Sequence, residues 1–416
     1  MPERLAARVV VVGAGPAGIA AACRAAESGV DTVVLDENAA EGGQIWRRGT
    51  ARAPAGARRW LERLRRSGAR VEAGLSVFDA DPERAVLLAE RDGEVVEVAW
   101  RRLVVAPGAR ELFLPFPGWT LPGVLGLGGL QAMVKSGASV EGRTVVLAGS
   151  GPLILPVAAT LAAKGARLTV VAEQAPASEL RRFALGLWRT PSKWLEAARL
   201  RARFATTRYR AGTWVTSADG EDSVAEVRLT DGRRSWTVAC ELLAASYGLV
   251  PNLELARLLG CELEGGRVRV DGAQRSGVEG ILCAGEVCGI GGLDAALAEG
   301  QIAGLAAAER PIDPALARSR DLARRFAARL ERAFRPRREL LHRLDPSTIV
   351  CRCEDVRWEA IDPAWRSRQA KLYRRVGMGP CQGRVCGAAL ERLCGWEPDT
   401  VRPPLKPVPA GNLAHS

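Results

Sequence analysis

Arg8-Val-Val-Val-Val-Gly13-Ala-Gly15-Pro-Ala-Gly18 reads as an apolar strand that enters a glycine turn and leaves it as an Ala-rich helix through Ser28. A second strand, Thr32-Val-Val-Leu-Asp36, ends in an acid 23 residues after Gly13. Each part of the pattern has a physical reason. Gly13 permits the tight turn, Gly15 lets backbone N–H groups approach a pyrophosphate, and Gly18 lets the helix pack closely on the strand. The phosphates would sit at the helix N-terminus, where unpaired N–H groups and the dipole favour negative charge. Asp36 would accept hydrogen bonds from the adenosine ribose hydroxyls. Incidental glycines after an apolar strand do not account for an acid at that distance, so the stretch predicts a dinucleotide-binding βαβ unit.

A second such signal begins at Thr144-Val-Val-Leu-Ala-Gly149-Ser-Gly151-Pro-Leu-Ile154 and continues through a helical stretch to Arg167-Leu-Thr-Val-Val-Ala-Glu173. Ile154 stands where the third glycine belongs, and Pro156 enters the first helical turn. A branched side chain there pushes helix from strand and crowds the pyrophosphate path. NAD(P) binding at this second unit is therefore left open. Glu173 favours NAD over NADP if a nicotinamide nucleotide binds.

The chain has 416 residues, which predicts two or three domains, and 47% hydrophobic with 25% charged residues excludes a disordered or fibrous protein. Basic residues number 59 against 47 acidic ones. Residues 310–416 carry 22 Lys plus Arg and 12 Asp plus Glu, so most of the net +12 lies in the last quarter. No aromatic-interleaved basic stripe accompanies them. An acidic protein partner is expected, not nucleic acid. Met1 runs almost directly into a strand, with no room for a charged leader, and a cytoplasmic location is expected. Peripheral attachment to the inner membrane is kept as an alternative. Two uncharged stretches, Leu112–Val134 and Thr144–Ala163, are broken by Gly and Pro, and neither is read as transmembrane. His occurs only at 342 and 415, outside every glycine motif, so no catalytic acid or base is assigned.

Two nucleotide-binding units in this order resemble the two-dinucleotide-binding flavoproteins, the thioredoxin and glutathione reductase relatives, over roughly residues 8–310. Four further segments carry the resemblance. Gly42-Gly43-Gln44 matches a loop near the flavin, and Leu103-Val-Val-Ala-Pro-Gly108-Ala-Arg110 is similar to the segment that closes over it. Tyr247-Gly-Leu-Val-Pro-Asn252 resembles the return crossing between domains. Gly280-Ile-Leu-Cys-Ala-Gly285-Glu286 matches the last flavin motif, with Glu in place of the usual Asp. The resemblance implies FAD, held by Gly13, Gly15, Pro16, Ala17, Gly18, Asp36, Glu37, Gly43, Gln44, Ala106, Gly108, Gly285 and Glu286. The CxxC or CxxxxC redox pair of the disulfide reductases is missing. Cys283 and Cys288 straddle Gly285-Glu286 and are read as packing residues, since free Cys behaves as a small hydrophobe.

Residues 313–341 read as an amphipathic helix whose Leu322, Phe326, Leu330 and Phe334 stripe packs on the core. Beyond Pro346 come Cys351-Arg-Cys353 and, after 27 residues, Cys381-Gln-Gly-Arg-Val-Cys386. Such a quartet in a long chain points to metal before disulfides. Thiolates at Cys351, Cys353, Cys381 and Cys386 suit iron–sulfur or zinc, and spacing alone does not decide. Gly377, Gly379, Gly383 and Gly387 expose N–H groups that can tune a cluster, and Lys371, Arg374 and Arg375 add positive charge, which favours iron. Cys394 is read as a spare core thiol. The pattern resembles the bacterioferritin-associated-ferredoxin-like (BFD-like) [2Fe–2S] domain.

The whole order is similar to the flavoprotein A or alpha subunits of opine oxidase, D-hydroxyproline dehydrogenase and hydrogen cyanide synthase, where it is the B subunit. Pro117–Gly123, Phe183–Trp188, Ser246–Asn252, Gly289–Gly292, Cys351–Asp355 and Gly377–Gly387 carry that likeness. It implies an α/β fold of two Rossmann-like, glutathione/thioredoxin reductase-type domains plus the small cluster domain. The expected boundaries are 1–119 with 251–312 for FAD, 120–250 for the second unit, 313–345 for a linker helix, and 346–416 for the Cys domain and tail. The implied function is flavin and iron–sulfur electron transfer in a hetero-oligomeric dehydrogenase or oxidase of amines, opines or imino acids such as D-hydroxyproline. Implied partners are a small ferredoxin-like [2Fe–2S] subunit, together with a D-amino-acid-oxidase-like flavin subunit. A second flavin, FMN, at a subunit interface stays open. The alternatives are a self-sufficient NAD(P)H-dependent FAD reductase and a nucleotide-binding scaffold without redox role.

Overall fold

The computed structural model describes residues 3–47, 54–397 and 400–415. It divides into two compact units, residues 1–110 with 251–328 and 400–416, and residues 111–250 with 329–399.

The first unit is built on a seven-stranded sheet. Strands Arg70–Ala73, Thr32–Asp36, Glu3–Val12 and Glu94–Val105 lie side by side in parallel, and Ile281–Cys283 adds in parallel to the last of them. Val86–Arg91 and Ser76–Asp81 extend the sheet antiparallel. Val9, Val10, Val11, Val33, Val34, Val104 and Val105 are wholly buried. Both faces of the parallel part are thus covered, as uninterrupted apolar runs require. Helices Pro16–Glu27 and Gly292–Ala307 cross at near backbone contact. A Cβ at Gly300 or Gly304 would strike the main chain of Ala17 or Ala21.

The second unit holds a five-stranded parallel sheet in the order Arg208–Ala211, Arg167–Glu173, Thr144–Gly149, Leu242–Ser246, Val124–Gly126. An antiparallel sheet of Trp214–Asp219, Glu226–Thr230 and Ser235–Ala239 accompanies it. The unit begins nine residues earlier than the 119/120 boundary expected from sequence. The reason is apolar burial: Leu112 and Leu114 pack with Trp214 and Tyr247, and Phe116 and Trp119 join the core around Val146.

The cysteine region, with the strand pair Ile349–Cys351 and Val356–Arg357 and the helices Ser367–Arg374 and Gly387–Cys394, groups with the second unit. It has its own core of Val350, Val356, Ile361, Ala370, Leu390 and Trp396. The expected 346–416 domain does not extend to the end of the chain. Residues 400–416 belong to the first unit, where Leu405 is buried and donates its N–H to the Phe78 carbonyl at 2.6 Å.

Helix Pro314–Ala333 corrects a second expectation. Leu322 is 61% exposed, and the buried positions are Arg320, Ala327 and Ala333. Polar anchoring explains the rotation: Arg320 donates to the Gly272 carbonyl at 2.6 Å and Arg324 to Glu299 at 2.7 Å. Among the described residues, no helix is long and apolar enough to cross a membrane.

Candidate functional site

The first glycine turn closes where strand Glu3–Val12 ends. Gly13 adopts φ +103°, and a Cβ there would strike the Ala106 carbonyl, while a Cβ on Gly18 would strike the Gly13 carbonyl. Gly15 instead faces open space, and a Cβ on Gly43 would come within 3.0 Å of its Cα. The helix Pro16–Glu27 starts at Gly15 with no side-chain cap. Its first N–H groups therefore point, with the helix dipole behind them, into an open cradle floored by glycine.

Asp36 is buried at the neighbouring strand end. One carboxylate oxygen accepts the Ala14 N–H at 2.5 Å, and the other accepts both the main-chain and side-chain N–H of Asn38 at 2.7 Å. Gly285 reaches the same helix, since a Cβ on it would lie 2.7 Å from the Ala17 Cβ. Gly108 accepts the Asn252 N–H at 3.1 Å. Gly13, Gly15, Pro16, Ala17, Gly18, Asp36, Gly43, Ala106 and Gly285 thus surround one cradle. Three predicted residues make other contacts. Gln44 is exposed and accepts from Arg47 at 2.8 Å, and Glu37 pairs with Lys406. Glu286 accepts the N–H groups of Gly291 and Gly292 at 3.1 and 3.0 Å. Burial outweighs those two bonds and lifts its carboxyl to about 7.

Sequence reading missed the support behind Gly285. Glu299 is 3% exposed, accepts the Gly285 N–H at 3.0 Å, and pairs with Arg324. Arg324 also donates to wholly buried Gln274 at 3.2 Å, and Gln274 donates to the Cys283 carbonyl at 2.8 Å. The one signal was Glu299 itself, a charged residue midway along a helical run made mostly of small and apolar residues. Lys406 was missed as well; burial lowers its pKa and the nearby Asp36 charge raises it.

The second glycine turn is built differently. Gly149 has φ +145°, and a Cβ there would strike the Ser246 carbonyl. Ile154 is buried at the third glycine position. Glu173 is fully buried and accepts the N–H groups of Gly151 at 2.9 Å and Ala175 at 2.8 Å. Burial pushes its carboxyl up to about 8, against the pull of those bonds.

The four cysteines lie together. The Cys351 and Cys386 sulfurs are 3.8 Å apart, Cys386 also bonds Cys381, and Cys381 bonds Cys353. Cys351 and Cys386 are buried and Cys353 is exposed. Hydrogen bonds from Cys386 draw Cys351 down to about 6 and Cys381 to about 4, with help from the backbone N–H groups of Gly377 and Glu354 on Cys351, and of Val385 and Gly383 on Cys381. A Cβ on Gly379 would strike Cys353, so only glycine fits there. Cys394 stands apart from these four, and burial lifts its thiol to about 11. Among the described residues, no group of three or more His, Cys, Asp or Glu side chains is arranged to hold a metal ion.

Residues 7–300 match the family described as Pyridine nucleotide-disulphide oxidoreductase. The chain belongs to that family. It is accordingly an oxidoreductase and a flavoprotein of Rossmann type, FAD being the family's flavin. Similarity to individual members extends past the matched region. The A subunit of opine oxidase from Rhizobium meliloti is 35% identical over 97% of this chain and 98% of its own length. Hydrogen cyanide synthase subunit HcnB of Pseudomonas aeruginosa is 34% identical over 97% of each chain. Among solved structures, L-proline dehydrogenase from P. horikoshii has the same fold at a TM-score of 0.71, with 20% identity, covering 99% of this chain and 80% of that one.

Proposed function

We propose that this chain is the electron-transfer subunit of a hetero-oligomeric dehydrogenase or oxidase, carrying FAD in the first unit and a [2Fe–2S] cluster on Cys351, Cys353, Cys381 and Cys386. The observation that carries the reading is four thiols brought together, with the Cys351 and Cys386 sulfurs 3.8 Å apart, on a chain whose flavin-type cradle has no redox cysteine pair. Four thiolates suit a two-iron cluster or a zinc ion, and the backbone N–H groups of Gly377 and Gly383 beside the sulfurs favour the cluster. When bound, a flavin takes electrons in pairs or singly and a cluster passes them one at a time.

The chain's own groups have definite tasks in this scheme. The N–H groups after Gly15 bind the pyrophosphate, and Asp36 and Glu37 receive the ribose. Ala106, Gly108, Gly285 and Glu286 would line the flavin end. The amides of Gly377 and Gly383 hold negative charge on the sulfurs. Full-length likeness to one component of an opine oxidase and one of a hydrogen cyanide synthase supports a substrate with a C–N bond, oxidised on a separate D-amino-acid-oxidase-like subunit.

Anaerobic purification tests the proposal, with released-nucleotide analysis, iron and sulfide assays, and EPR after dithionite reduction. FAD with about two iron per chain and a rhombic signal is the expected result. Zinc in place of iron, or ADP in place of FAD, would overturn it.

A further inference from the structure

In an open parallel sheet, ligands enter the crevice beyond the carboxyl ends of the strands where the strand order reverses. In the second unit that point lies between Thr144–Gly149 and Leu242–Ser246, with Arg167–Glu173 alongside. The next residues after these strands are Ser150, Tyr247 and Gln174. All three are bonded to one segment of the same unit, residues 334–343. The Ser150 hydroxyl donates to the Phe334 carbonyl at 2.6 Å. The Gln174 carboxamide donates to Ser150 Oγ at 2.8 Å and to the Arg335 carbonyl at 3.2 Å, and accepts the Arg337 N–H at 3.1 Å. Arg343 donates to the Tyr247 hydroxyl at 2.7 Å and to the Leu114 and Val215 carbonyls, each at 2.7 Å.

The packing follows the same path. Leu340 is wholly buried in the cluster of Leu112, Leu114, Trp214 and Tyr247, and the Arg337 guanidinium lies over the Trp214 ring, 4.4 Å from its centre. Ala388 and Ala389, from the helix that follows Cys386, enter that cluster too. The strand-end acid does not set this crevice apart, since Glu173 holds the Gly151 and Ala175 N–H groups as Asp36 holds those of Ala14 and Asn38. What sets it apart is that Ser150 and Gln174, just past the strand ends, are tied to residues 334–337.

We propose that residues 334–343 are a built-in occupant of the second dinucleotide crevice, so that this unit takes no NAD(P)H and serves as the socket that holds the cysteine domain. The residues present do not fit the nicotinamide nucleotide that the family name implies. The segment leads directly into the strand of Cys351, whose Ile349 carbonyl accepts the Trp119 indole N–H. The crevice thereby anchors the four-thiol group. This inference goes beyond the proposed function and does not depend on which metal the thiols hold.

The test uses the full-length protein with its flavin. NADH and NADPH are titrated calorimetrically and mixed anaerobically while flavin absorbance is followed, and amide exchange over 334–343 is read by mass spectrometry with and without NADH. The expected result is no saturable binding, no flavin bleaching, and slow exchange of the segment in both states. The double variant Ser150→Ala, Gln174→Ala should speed exchange around Arg337 at least tenfold while leaving the first unit's protection unchanged. Saturable NADH binding overturns the proposal, and so does rapid exchange of the segment in the unaltered protein. Zinc found on the thiols would sink the electron-transfer reading and leave this one standing.

Discussion

The two glycine turns of this chain begin from nearly the same sequence and end in opposite states. At Gly13–Gly18 the turn is pressed against Ala106 from behind while Gly15 faces open space. At Gly149–Ile154 a Cβ on Gly151 meets nothing either, and the difference is that Ser150 and Gln174 beside the turn are bonded to residues 334–337. The motif fixes the strand–turn–helix geometry in both places. Whether a ligand can enter depends also on residues outside the motif.

Four substitutions probe that contrast. Gly18→Ala should have the largest effect, because its Cβ would strike a main-chain carbonyl that cannot move without opening the turn. We predict a loss of about 3 kcal/mol and protein isolated without flavin, measured by denaturant unfolding and FAD per chain. Normal FAD content would remove the cradle from this turn.

Glu173→Gln comes next and is read through pH. The folded carboxyl sits at about 8 and the ordinary value is 4.5. Between these values the folded chain keeps a proton that the unfolded chain has lost. Stability should therefore fall as pH rises from about 4.5 to about 8, with a slope of up to ~1.4 kcal/mol per pH unit. The Gln variant should flatten that fall in thermal melts; an unchanged slope would mean that Glu173 is ionised throughout. Glu286, lifted to about 7, contributes with the same sign and is the control that remains in the variant.

Gly151→Ala should cost about 1–2 kcal/mol through backbone strain at positive φ and leave FAD content untouched, since no atom lies within 4 Å of its Cβ. Flavin loss from that variant would join the two turns into one site. Lys406→Ala is the mildest, because its pair with Glu37 is partly exposed. Less than about 1 kcal/mol of stability and a small rise in the FAD dissociation constant are expected, measured by flavin fluorescence.

What was legible in the sequence is what residue type alone encodes. Gly13 and Gly18 are glycines because a Cβ does not fit, and Asp36 is an acid because a strand end beside the turn needs an acceptor. Ile154 already marked the second turn as altered. The occupant of that crevice was not legible, since Ser150 meets Phe334 across 184 positions and no periodicity links them. The support of Gly285 was hidden for the same reason: Glu299 and Arg324 belong to different helices. The stripe at Leu322 misled because helix Pro314–Ala333 docks through alanine and arginine, whereas amphipathic patterning assumes that large apolar residues face inward.

The seam of Gly300 and Gly304 against Ala17 and Ala21 sets an order of events during synthesis. Helix Pro16–Glu27 is made before its partner Gly292–Ala307, which begins 265 residues later. At about 5–20 residues per second, the first helix waits roughly 13 to 53 s for the surface it packs on. The second unit's parallel sheet is translated entirely within that interval. A chaperone that holds the nascent amino-terminal strands should therefore decide yield more than any later step, and co-expression of a nascent-chain binder, scored by soluble protein per cell, is the direct measure.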